Sequence, residues 1–210
     1  MRVLVFGDSI TQGFWDTEGG WVDRFKREYI RQTLAGDNKN DISIFNLGIS
    51  GGTSKTISDR FDNEAKARHG REQIAFVFST GVNDSCREGL QNYKSTPEDY
   101  GNNLQQLVTK ARVFSEKILF VGLVAGDERQ TMPVAWRDIY YFNDRIKTFE
   151  DVMKDIAAKN NAAFVPVFDE FKKHLDKGEN LLADGLHPNN DGHQLIFELV
   201  QPELEKLLKN

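Results

Sequence analysis

The chain has one cysteine, Cys86, in 210 residues, so no intrachain disulfide can form. That usage fits a reducing compartment. No apolar run approaches the roughly 18 residues of a membrane-spanning helix. The start, MRVLVFGDS, offers only four apolar residues after Arg2, too few for the core of a signal peptide. With no amphipathic anchor or lipidation signal either, the chain reads as cytoplasmic. Charge is modest: a net −5 with interspersed signs leaves no basic stripe for a phosphate backbone, which excludes nucleic acid as an expected partner. No linker, low-complexity tract or internal repeat divides the sequence. One domain over residues 1–210 is expected, and 39% hydrophobic residues suffice for its core.

What is present is a set of five short apolar runs: RVLVF (2–6), ISIFNL (42–47), IAFVF (74–78), ILFVGLV (118–124) and AAFVPVF (162–168). They are rich in Val, Ile and Phe and do not alternate with polar residues, the pattern of strands covered on both faces. Segments of helical spacing lie between them. Trp21, Val22, Phe25 and Tyr29 form one stripe; Tyr100, Leu104, Leu107, Val108 and Ala111 form another, opened by Thr96 as N-cap and Pro97 at the first helical position. Ile139, Phe142, Ile146, Phe149, Met153 and Ile156 predict an amphipathic helix. A last helix follows Asn189 and carries Leu195, Ile196, Leu199 and Val200, with a kink expected near Pro202. Alternating strands and helices predict a three-layer α/β sandwich with a parallel sheet.

In such folds ligands bind beyond the carboxyl ends of the strands. The polar, glycine-rich segments GDSITQG, GISGGTS, STGVNDS and DGLHPNN all fall on that edge. In DGLHP, Pro188 biases His187 toward an extended backbone, so Asp184 and His187 meet across a turn. A carboxylate there can fix the imidazole tautomer and leave Nε2 free as a base. A turn aspartate beside an exposed loop histidine would give the same spacing. Ser9 follows a strand end, where SITQG can open a helical turn whose free N–H groups favour negative charge; a capping serine fits there too. Asp8 is expected to anchor that loop through neighbouring N–H groups. Gly48 lets a backbone N–H approach a ligand, and Asn83 offers an amide donor. With the Ser9 N–H they form a three-donor oxyanion hole, each donor worth about 2.7–4 kcal/mol in a transition state. Taken together, the residues fill every role of acyl transfer.

GDSI, the glycine of NLGISGG, GVND and the late DGLHP resemble, in order and spacing, the four blocks of the SGNH hydrolases, also called GDSL-type esterases and lipases. The resemblance runs from residue 7 to residue 188. It implies Ser9 as nucleophile, His187 as base and Asp184 as its orienting acid, with Gly48 and Asn83 joining the Ser9 N–H in the oxyanion hole. It also implies a flavodoxin-like α/β/α sandwich with a five-stranded parallel sheet, no cofactor, and a small-molecule ester as substrate. Isoleucine stands after Gly-Asp-Ser where leucine is usual, a near-isosteric change.

Three other readings compete. GISGG matches Gly-x-Ser-x-Gly, with Ser50 as the nucleophile of an α/β-hydrolase elbow; its acid and histidine would then be expected on separate loops. A catalytically silent module that only binds an acylated or glycosylated ligand would keep the same fold. A nucleotide-binding protein would need a Gly-x-Gly-x-x-Gly or Walker pattern, which the first loop lacks. Asp8, Asp184, His187 and His193 show no metal-ligand spacing, so no metal is expected. Cys86 has no histidine near it in sequence and is no nucleophile candidate. Phe14, Trp15, Met132, Pro133 and Trp136 are candidates for pocket walls or packing. No motif specifies the acyl group or the oligomeric state.

Overall fold

The computed structural model describes residues 1–36, 42–89 and 91–209. The chain opens with β1 (Arg2–Gly7), a single turn α1 (Ser9–Gln12) and α2 (Gly20–Ala35), then β2 (Ser43–Gly48) and α3 (Ser54–Arg68). β3 (Ile74–Ser79) leads through the short α4 (Val82–Ser85) into β4 (Arg87–Glu88), β5 (Asn92–Tyr93) and α5 (Pro97–Arg112). β6 (Ile118–Val121), α6 (Glu128–Thr131), β7 (Ile139–Tyr140) and α7 (Asn143–Lys159) follow. β8 (Ala163–Val165), α8 (Phe168–Asp176) and α9 (Asn190–Lys209) complete the described residues.

The five expected runs pair as one parallel sheet in the order β2-β1-β3-β6-β8. β1, β3 and β6 are central and almost wholly buried, as their unbroken apolar sequences require. The edge strands β2 and β8 are only partly covered. α3, α5 and α7 pack in series against one face, and α2 packs with α9 on the other. Right-handed crossovers give this division, because the connection from β1 to β2 runs opposite to all later ones. The strand order therefore reverses between β1 and β3, and a ligand crevice belongs at their carboxyl ends.

Helix boundaries follow local chemistry. Asp99 N donates to the Thr96 Oγ1 cap of α5 at 3.0 Å, Pro97 occupies the first turn, and Lys110 and Arg112 the last. The apolar stripes of α2 and α5 are buried as their spacing demands. The stripe from Ile139 to Ile156 does not lie on one helix. α7 begins at Asn143, Phe142 is its cap, and Ile139 pairs with Glu88 in β7. Its gap of three from Phe142 matched helical spacing by coincidence. β7 instead belongs to a small antiparallel sheet, β5-β4-β7, stapled by the Arg87 guanidinium over the Tyr140 and Phe142 rings at 4.5 and 4.9 Å. Pro202 lies inside α9 without ending it.

Phe78 is the centre of the core, fully buried in β3, with its ring 5.7 Å from Phe6, 6.0 Å from Phe61 and 5.6 Å from Phe120. Phe78→Ala is expected to cost about 3–5 kcal/mol of unfolding free energy in urea denaturation. A loss below about 1 kcal/mol would mean that the site can collapse and the packing is not as described.

Candidate active site

Gly7 ends β1 where a side chain would collide with Thr11 and the Ser79 carbonyl, so the backbone can turn sharply into α1. Asp8 caps that turn by accepting the Ile10 N–H at 3.0 Å. Ser9 thereby becomes the first residue of α1, buried but facing the carboxyl edge of the sheet.

At the far end of the chain, residues 181–189 fold back on themselves. Asn189 N donates to Leu181 O and Ala183 N to His187 O, both at 2.9 Å, and Gly185 takes the left-handed conformation at φ +84°. Inside this loop Asp184 Oδ1 accepts the N–H groups of Leu186 and His187 at 3.0 and 2.8 Å. His187 Nδ1 lies 2.8 Å from Asp184 Oδ2, and His187 Nε2 lies 3.0 Å from Ser9 Oγ. An ionised carboxylate only accepts, so the ring proton sits on Nδ1 and Nε2 accepts from the serine hydroxyl. Burial pushes the Asp184 carboxyl up, but hydrogen bonds from the His187 ring and the loop N–H groups outweigh it and hold it at about 2.

Opposite the imidazole are the amide donors. Among the described residues the N–H groups of Ser9 and Gly51 have no acceptor. Asn83 donates one amide hydrogen to Gly52 O at 3.1 Å, and its Oδ1 accepts the Tyr141 hydroxyl at 3.1 Å. Tyr141 thus fixes the amide orientation and leaves the second N–H of Nδ2 for a ligand. A cleft of about 470 Å³ opens over these groups, lined by Ser9, Gly51, Asn83 and His187 with Phe14, Trp15 and Trp136. The Phe14 and Trp136 ring centroids are 5.3 and 5.8 Å from that of His187. A larger depression, about 610 Å³, is bordered by Asp127, Lys172 and Glu179 and contains none of this chemistry.

The chain matches the model of the GDSL-like lipase/acylhydrolase family over residues 5–195. It belongs to that family. An isoamyl acetate-hydrolyzing esterase 1 homolog of Mus musculus is 23% identical over 214 residues, covering 98% of this chain and 82% of the relative. Among solved structures, TesA is 25% identical with a TM-score of 0.71, covering 99% of each chain. An acetylxylan esterase from Geobacillus stearothermophilus is 20% identical with a TM-score of 0.73, covering 97% of this chain and 93% of that one. That esterase is also known as catalytic mutants in which a serine or a histidine is replaced by alanine. The protein is a carboxylic ester hydrolase of the GDSL class with the α/β fold of its relatives.

Within this GDSL site the glycine differs from the sequence expectation. The Gly48 N–H is taken by Asn46 Oδ1 at 3.0 Å, and a Cβ at Gly48 would strike the Gln12 backbone and the Asp8 carbonyl. Gly48 is needed for close packing of β2 against α1 and lies outside the cleft lining. Gly51, three residues on and at φ +75°, faces the cleft with an open Cα. Ser50 also borders the cleft, but Nε2 of His187 is engaged by Ser9. Met132 and Pro133 do not line it. His193 is fully buried in α9, with Nε2 3.3 Å from Phe14 O, and burial pushes its imidazole down to about 4. Cys86 is buried, which raises its thiol to about 11. No cluster of three or more metal-ligating side chains occurs among the described residues.

Burial pushes the Asp8 carboxyl up to about 6, against N–H bonds from Ile10 and Thr11 and the field of His187. Its ordinary value is 3.8, so between these limits the folded protein holds a proton that the unfolded chain has released. Asp8 therefore costs stability as pH rises through that window. Asparagine keeps the cap but cannot ionise. Asp8→Asn is expected to gain roughly 2–3 kcal/mol on the wild type between about pH 4 and 7.5 in paired denaturation curves. A difference that does not change with pH would contradict the raised value.

Proposed function

We propose that this protein hydrolyses small carboxylic esters through an acyl-enzyme on Ser9. The observation that carries the reading is the continuous contact chain from Ser9 Oγ to His187 Nε2 to Asp184 Oδ2, at 3.0 and 2.8 Å. His187 takes the hydroxyl proton as Oγ attacks the ester carbonyl, and Asp184 stabilises the imidazolium so formed. The tetrahedral oxyanion is held by the Ser9 N–H, the Gly51 N–H and Asn83 Nδ2, with Gly51 in the place first expected of Gly48. The imidazolium returns its proton to the departing alcohol oxygen. Water then enters, loses a proton to His187 and attacks the acyl carbon, and collapse releases the acid and restores the Ser9 hydroxyl.

The aromatic wall of Phe14, Trp15 and Trp136 suits a compact ester. Relatives named for acting on isoamyl acetate and acetylxylan favour a short acyl group. We read residues 1–210 as one domain, on the strength of a continuous apolar core. We assign the protein to the cytoplasm, on its single, buried cysteine. No helix among the described residues is long and apolar enough to cross a membrane.

A p-nitrophenyl ester series from acetate to octanoate tests the reading. Ser9→Ala is expected to lose on the order of 10⁴-fold or more in kcat, while Ser50→Ala retains wild-type turnover. Asn83→Ala should lose about 10²–10³-fold, and Tyr141→Phe should follow in kcat by a smaller factor with KM little changed. Wild-type activity in Ser9→Ala, or a dead Ser50→Ala, would transfer the nucleophile to the GISGG segment. Loss of both hydrolysis and acylation in the wild type would leave only a binding module.

A further inference from the structure

Trp15 occupies a conformation that packing does not explain. Its φ is +64°, a left-handed backbone that a bulky side chain adopts only when its surroundings impose it. Yet its side chain is 59% exposed, so burial of the ring does not offset the cost. Its one polar contact among the described residues is specific: indole Nε1–H donates to Asp184 Oδ2 at 2.8 Å. This is the same oxygen that accepts His187 Nδ1.

The segment carrying it is held from three directions. His193 of α9 donates from Nε2 to Phe14 O at 3.3 Å. Arg24 of α2 forms an ion pair with Asp16. Asn190 at the start of α9 exchanges hydrogen bonds with Thr17, through Nδ2 to Oγ1 at 2.8 Å and from the Thr17 N–H to Oδ1 at 3.3 Å. The Phe14 ring meets Trp15 edge-on at 4.9 Å and lies 5.3 Å from His187. The loop after the nucleophile is thus tied down so that an exposed tryptophan points its N–H at the acid of the triad.

We propose that Trp15 is a positioning residue that shares Asp184 Oδ2 with His187, keeping the carboxylate aimed at Nδ1 and moderating the basicity of the imidazole. The inference rests on the catalytic reading of Ser9, His187 and Asp184 given above. A neutral donor on the shared oxygen spreads the carboxylate charge, so less of it stabilises the imidazolium. Its removal frees charge toward His187 and leaves Oδ2 held by His187 Nδ1 alone, with Oδ1 still anchored by the loop N–H groups. Asp8 at the cap of α1 and His193 of α9 also couple electrostatically with His187, and Lys94 and Arg137 border the same cleft; the substitutions at Trp15 leave all four of these side chains in place.

The test uses two variants with complementary losses. Trp15→Phe keeps an aromatic ring and removes the N–H. Trp15→Gln removes the ring but carries an amide N–H the same number of bonds from Cβ. Both are compared with wild type and Ser9→Ala in pH profiles of kcat and kcat/KM on p-nitrophenyl acetate, with near-ultraviolet circular dichroism as the check on folding. Trp15→Phe is expected to lose on the order of 10-fold in kcat and to move the acid limb of kcat/KM up by roughly half a unit. Trp15→Gln is expected to return the limb to its wild-type position while raising KM. An acid limb in Trp15→Phe that coincides with wild type or moves downward overturns the assignment and leaves Trp15 as cleft wall. So does a limb displaced equally in both variants. A fully active Ser9→Ala overturns the catalytic reading instead, and the two failures are therefore distinguishable.

Discussion

The 3.0 Å contact between Ser9 Oγ and His187 Nε2 joins segments 178 residues apart, and the rest of the site makes sense only around it. It exists because β1 lies inside the sheet, with β2 on one side and β3 on the other. The nucleophile therefore emerges at the point where the strand order reverses. α9 packs against α2 on the same face, and that docking brings the loop before α9 over the tip of β1. Neither end of the chain could position the imidazole alone; the whole sheet serves as the spacer.

The carboxyl edge of the sheet is irregular backbone, and buried polar side chains satisfy it. Asp8 caps α1, and Asn46 takes the Gly48 N–H and donates to Thr11 O. Asp84 accepts both the N–H and the hydroxyl of Ser54 at the start of α3. Glu150 Oε1 alone accepts from Leu123, Val167 and Phe168, joining the ends of β6 and β8. Burial raises the carboxyls of Asp8, Asp84 and Glu150, whereas Asp184, in hydrogen-bonded contact with the imidazole, is held low. The carboxyl that faces the base is thus held low by its hydrogen bonds, while burial shifts those that brace the scaffold upward.

Much of this was legible in the sequence, for physical reasons that also mark where legibility stops. Five runs of Val, Ile and Phe identified the sheet because doubly covered strands have no polar face to hide. GDSI stood out because polar residues directly beyond a strand end need a reason, and DGLHP because a turn set by Pro188 brings a carboxylate and an imidazole together. The two-residue strands of the small sheet carried no periodicity, and Ile139 was therefore assigned to a helix it precedes. The choice between Gly48 and Gly51 could not be made from spacing: both are glycines, one for close packing and one facing the cleft, and only the backbone distinguishes them. Trp15 was one aromatic among several, since its role depends on a positive φ and on a carboxylate 169 residues away. Tyr141 was overlooked for the same reason, because its partner Asn83 is brought to it by the pairing of β4 with β7.

The central claim is that one hydroxyl, at Ser9, is made nucleophilic by one imidazole. The most direct measurement is reaction with a fluorophosphonate, followed by intact-mass and peptide mass spectrometry. The account predicts a single adduct on the peptide that contains Ser9, formed at a rate that collapses in His187→Ala. An adduct on the peptide that contains Ser50, or no adduct on folded wild-type protein, would contradict it.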